Sequence, residues 1–150
     1  MMQRLPASTG RAGDEGSTLL LTIFFCFLGL SLVLVVVAAT SLYLERKRLF
    51  TLADGAALAA AEAWSLDSVQ VDGDRLSLEL ESDAVRQAAV EYLGDAEHGL
   101  ADVQLVRAAS DDGQSATVTV SAVWYAPIHT ELLPLSVPIE VTATARSVFH

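Results

Sequence analysis

The sequence is poor in the residues that usually carry chemistry. In 150 residues it has one cysteine, three histidines, four prolines and nine lysines and arginines together, against nineteen acidic side chains. The lone Cys26 has no partner for an intramolecular disulfide and excludes zinc sites built from several cysteines. The shortage of base argues against nucleic acid as a partner, because phosphate recognition needs clustered Lys and Arg. His98, His129 and His150 lie far apart, none with a second ligand at metal-binding spacing on a regular element. The chain has no GxSxG, no Gly-rich phosphate loop and no HExxH. Paired acids stand at Glu79/Glu81 and at Asp111/Asp112. The first pair lies opposite leucines on an alternating run and is expected to face water. The second precedes Gly113 in a turn and lacks the ligand pattern of a calcium loop. No enzyme, metal or cofactor is expected.

The abundant class is apolar, at 52%. Its excess sits in one place. From Leu19 to Leu44 there are twenty-six residues without a charge. At about 1.5 Å per residue this run spans roughly 39 Å, enough to cross the ~30 Å hydrocarbon core with some tilt. It is too long for the apolar part of a signal peptide. Thr22, Gly29, Ser31, Thr40 and Ser41 interrupt it, and the short hydroxyls can bond to the helix backbone. A short polar segment at 1–18 precedes a membrane helix at 19–44. The charge count across it is nearly balanced: Arg4 and Arg11 before, Arg46, Lys47 and Arg48 after. Counted alone it slightly favours a cytoplasmic C-terminal side.

The helix is expected to continue through 45–66. Arg46, Lys47 and Arg48 are suited to reach lipid headgroups, and Glu45 can pair with Arg48 at i,i+3. Ala53, Ala57 and Ala61 repeat every fourth residue, with Ala56 and Ala60 alongside. This small-residue stripe lets another element come close, either a partner helix or the chain's own C-terminal domain. Gly55 is the weak point of the helix, at about 1 kcal/mol relative to Ala. Asp54 and Glu62 are expected to face water.

Residues 67–150 read as a small α+β domain. Val69–Val71 and Leu76–Leu80 are strand-like, flanking the turn Asp72-Gly73-Asp74. Ser82 is placed to cap a helix over 83–93, with Val85, Ala88, Ala89, Tyr92 and Leu93 inward and Gly94 ending it. A run beginning at Val103 and the strand 117–124 should form a hairpin around Ser110–Gly113. A last strand runs over 139–146. The short helix would cover one face of an antiparallel sheet.

The stretch Arg46-Lys47-Arg48-Leu49 followed by Ala53-Asp54-Gly55-Ala56-Ala57-Leu58-Ala59-Ala60-Ala61 resembles the N-terminal region of TadE/TadG-like proteins of the Tad (Flp, type IVb) pilus assembly system. Their signature is a basic cluster followed by A-D-x-A-A-L-A-A-A, here with Gly55 where Ala is more usual. The segments Ala116–Val123 and Val141–Arg146 are similar to the Thr/Val-rich end of short actinobacterial members. The resemblance implies a pilin-like, single-pass envelope protein with its small domain outside the cytoplasm, against the weak charge count. Its partners would be the lipid bilayer and other Tad pilus assembly membrane proteins or pilins. Gly10 with Glu15 has the spacing of a prepilin-peptidase site, but Gly16 stands where Flp prepilins usually carry Tyr. Asp14 and Glu15 suit a solvated helix start, which is the preferred reading. The competing reading is a membrane-tethered binding or sensing module. A Gly/Ser/Pro linker, absent at 45–66, would be expected of a tether.

Overall fold

In a computed structural model of the chain, residues 14–63, 69–72, 75–78, 80–127 and 135–146 are described, those at 14, 15, 69–72 and 75–78 by their backbone alone. The chain divides into two compact units, residues 1–38 and residues 39–150. Helix α1 (Asp14–Ala61) contributes to both. The rest of the order is β1 (Val69–Asp72), β2 (Arg75–Leu78), α2 (Ser82–Asp95), β3 (Gln104–Ala109), β4 (Ser115–Tyr125) and β5 (Ser136–Arg146). The fold class is α+β, as the alternation and helix patterns imply.

The first unit holds the apolar part of α1. From Gly16 to Val37 every residue but Ser31 is exposed. The expected backbone bonds are present: Thr22 Oγ1 donates to the Thr18 carbonyl at 2.8 Å and Ser31 Oγ to the Phe27 carbonyl at 2.9 Å. Each hydroxyl is satisfied inside its own helix, so it costs little in a medium without water.

The second unit is built around a three-stranded antiparallel sheet in the order β3-β4-β5. β4 and β5 pair over their full lengths, from Ser115↔Arg146 to Tyr125↔Ser136. Period-two alternation then sorts the side chains. Ala116, Val118, Val120, Ala122 and Trp124 of β4 are buried, with Ile139, Val141 and Ala143 of β5. The other face carries a threonine ladder, Thr117 Oγ1 to Thr144 Oγ1 at 3.1 Å and Thr119 Oγ1 to Thr142 Oγ1 at 2.9 Å. The apolar side of the unit is completed by Leu49, Leu52, Ala53, Ala56, Ala57, Ala60 and Ala61 of α1 and by Val85 and Ala89 of α2.

Several details differ from the sequence-based expectation. β1 and β2 form their own antiparallel hairpin, from Val69↔Leu78 to Asp72↔Arg75, separate from the main sheet. α2 begins at Ser82 with Glu81 at the N-cap and no side-chain cap. The Ser82 hydroxyl is taken by a longer-range contact: it donates to the Ser110 carbonyl at 3.3 Å and accepts from the Ser110 N–H at 3.2 Å. Gly94 lies inside the helix. The turn extends to Ala96, whose N–H donates to the Tyr92 carbonyl at 2.9 Å. In β3 the alternation breaks at a bulge between Leu105 and Arg107. The hairpin of β3 and β4 forms as expected.

Candidate functional site

Among the described residues, those that could suggest catalysis stand apart. His98 Nδ1 accepts the Leu100 N–H at 3.2 Å, a local loop contact. His129, His150 and Glu79 lie outside the described residues, and Glu81 is exposed at the start of α2. Cys26 is exposed on the apolar part of α1. Among the described residues no three His, Cys, Asp or Glu side chains are grouped to hold a metal ion.

The acidic turn is a structural device. Asp112 Oδ1 accepts the Gln114 and Ser115 N–H groups at 2.9 and 2.7 Å, and the Ser115 hydroxyl donates to both carboxylate oxygens at 2.8 Å. Donors to the ionised form hold the carboxyl at about 2, below its usual 3.8. Gly113 beside it has φ 69°, a conformation glycine adopts without strain. Asp111 pairs with Arg107 at 2.8 Å, an exposed bridge of little energetic weight. Tyr125 Oη donates to Asp102 Oδ2 at 3.0 Å. That bond and the carboxylate charge raise the phenol above its ordinary value.

The informative surface is α1 itself. In the second unit the five stripe alanines, Ala53, Ala56, Ala57, Ala60 and Ala61, are each 0% exposed within the single chain. Asp54 and Glu62 are exposed. The side of α1 that stays open carries larger groups, among them Tyr43, Phe50 and Leu58. Glu45 and Arg48 do not pair: the ion pair found among the described residues is Arg107–Asp111. Arg46, Lys47 and Arg48 are all exposed. Gly10 lies outside the described residues, and Glu15 falls in the first turn of α1.

Two contacts of α1 were invisible to pattern reasoning. Trp124 Nε1 on β4 donates to Ser41 Oγ at 3.2 Å, across 83 residues. The ring of Tyr92 on α2 lies over Gly55: a Cβ there would stand 2.6 Å from Tyr92 Cζ and closer still to its hydroxyl. The glycine in place of alanine was the available signal, a helical position kept free for a neighbour. Beside α1, an open groove runs along β5 as two adjoining pockets of about 410 and 490 Å³, which share Tyr43, Arg46 and Glu140.

Compared with known proteins, residues 16–63 match the family profile of Flp pilus-assembly TadE/G-like proteins. The matched segment covers nearly all of α1. No curated protein and no solved structure matches. The match makes that segment similar to Tad/Flp pilus-assembly proteins, and among the described residues one helix is long and apolar enough to cross a membrane once.

Proposed function

Over residues 16–63 the chain is TadE/G-like, and on that premise we propose that it is a single-pass, pseudopilin-like component of Tad/Flp pilus assembly. It acts by helix packing and by contacts in the cell envelope, with other Tad membrane proteins or pilins as partners. The observation that carries this reading is the coincidence of the matched segment with one uninterrupted helix, Asp14–Ala61. A tethered sensor needs a flexible joint between anchor and domain. Here the helix that enters the apolar run also supplies the buried alanines of the domain.

The small acidic domain lies outside the cytoplasm in this reading. Residues 1–66 carry five basic and five acidic side chains, whereas residues 67–150 carry four and fourteen. The basic cluster Arg46–Arg48 does not oppose that orientation strongly. The positive-inside bias acts on short loops of up to about 60 residues, and longer domains cross largely regardless of charge. In this orientation Arg46, Lys47 and Arg48 anchor the outer interface.

Deleting the gene and counting surface pili tests the proposal. Loss or severe reduction of pili, restored by the full chain, is expected. Normal piliation overturns it. Protease added to spheroplasts should digest the C-terminal domain; its protection behind an intact membrane would reverse the orientation.

A further inference from the structure

We propose that the groove between α1 and β5 binds one anionic phospholipid of the adjoining bilayer leaflet, its phosphodiester held by Arg46 and Lys47. This rests on the membrane-anchor reading and goes beyond it by naming a lipid site. The second unit begins at Ala39, where the chain leaves the fully exposed apolar run, and Ala39 itself lines the groove. From there the lining changes character along α1. Leu42 and Tyr43 line it together with Val137, Pro138 and Ile139 of β5; then come Arg46 and Lys47, with Phe50 and Val141 closing the far end.

Leu42 and Arg46 are four residues apart, about 6 Å along a helix. The polar layer on each side of a bilayer is about 5–8 Å thick. Between Leu42 and Arg46 the groove therefore passes from apolar to cationic in the same direction, and over the same distance, as the passage from acyl chain to phosphate. Tyr43 is 66% exposed and Val137 42%, so the apolar walls are open. A soluble surface gains nothing from such residues, but acyl carbons would cover them.

Charge selects among lipids. Glu140 stands on the strand side of the groove and is not within ion-pair distance of Arg46. Arg46, Lys47 and Glu140 sum to +1. That matches a lipid with one phosphodiester charge, seated on the helix side, better than a zwitterionic one.

The test uses the full chain in nanodiscs containing equal amounts of phosphatidylglycerol, phosphatidylcholine and phosphatidylethanolamine. Val137→p-benzoylphenylalanine is irradiated and lipid adducts are identified by mass spectrometry. The same photoprobe at Phe24 reports the anchor, and at Thr144 a site outside the groove. Adducts at Val137 should be dominated by phosphatidylglycerol, and Thr144 should give none. Arg46→Gln and Lys47→Gln should each reduce the phosphatidylglycerol adduct roughly five-fold, whereas Glu140→Gln should increase it. All three side chains are exposed, so these variants should fold. Lipid labelling at Phe24 with none at Val137 overturns the groove and leaves the anchor standing. Equal labelling by the three lipids, or preference for phosphatidylethanolamine, overturns the charge selection and with it the site. Absence of lipid at Phe24 and Val137 alike overturns the anchor as well.

Discussion

The two parts of α1 obey opposite rules. Before Ala39 the helix is built from Leu, Val, Ile and Phe, and nearly all of them are exposed; Leu20 is 72% open and Phe27 70%. After Ala39 the buried face is made mainly of alanine, and the larger Tyr43, Phe50 and Leu58 point outward. Bulky apolar side chains exposed along a whole helix belong to a lipid environment, where there is no water to avoid. Small side chains belong where a sheet must come close. The difference lies in what each stretch meets rather than in its helix-forming ability, since one hydrogen-bonded helix spans both.

This contrast can be broken most sharply with charge. Leu30→Arg together with Val33→Arg should weaken insertion by roughly 2.5–3.5 kcal/mol for each residue near the helix centre and reduce recovery in the membrane fraction. Leu58→Arg, at an exposed position after Ala39, should change domain stability by no more than about 0.5 kcal/mol. Equal effects would mean that the two parts do not differ in surroundings.

Volume gives the next largest effect. Ala57→Leu should destabilise the second unit by about 1–3 kcal/mol, read by thermal or denaturant unfolding in detergent, because Ala57 has no exposed surface into which extra methylenes can go. Val35→Leu, on the exposed apolar stretch, should leave unfolding unchanged. A tolerated Ala57→Leu would show that the stripe is not closely packed.

Two contacts sharpen the picture at about 1 kcal/mol. Ser41→Ala removes the acceptor of the Trp124 N–H with little change of volume and should cost about 0.5–1.5 kcal/mol. Gly55→Ala should gain about 1 kcal/mol of helix propensity only in a Tyr92→Ala background. With Tyr92 present the ring must move to admit the methyl group, so the gain should vanish. An identical gain in both backgrounds would remove the steric reason for the glycine.

The smallest effect is a pH dependence confined to the second unit. Asp112 titrates lower in the folded protein, at about 2, than its ordinary 3.8. Its stabilisation is therefore complete above the ordinary value and is lost as pH falls through about 2. Asp112→Asn should lower the unfolding midpoint at pH 6 and converge with wild type near pH 2. A constant gap across that range would contradict the role of the charge. The apolar run from Leu19 to Ala38 contains no Asp, Glu, Lys, Arg or His to give a counterpart.

Much of this fold was legible in the residues alone. The uncharged run, the alanine period, the strand over 117–124 and the turn at Asp111-Asp112-Gly113 each carry a local signal, and local signals survive folding. What failed was also local in appearance. Ser82 reads as an N-cap, but its hydroxyl is engaged by Ser110, and Gly94 reads as a helix stop, but the helix continues past it to Asp95. A capping residue has several possible partners, and those from distant strands cannot be read from its neighbours in the chain. The groove was illegible for the same reason: it needs β5 laid beside α1, and nothing at Val137 or Glu140 announces Tyr43 and Arg46.

By itself the sequence determined that there would be one long apolar helix, an acidic α+β domain after it, and a small-residue face along the continuation. These come from spacing and composition, because burial preference and helix propensity act on each residue where it stands. Only the tertiary structure decided that the compact domain begins at Ala39, inside the uncharged run, that the alanine face is buried within the chain, and that Gly55 makes room for Tyr92. Each of these depends on which surfaces meet at a distance in sequence, and close packing settles that for the assembled elements together.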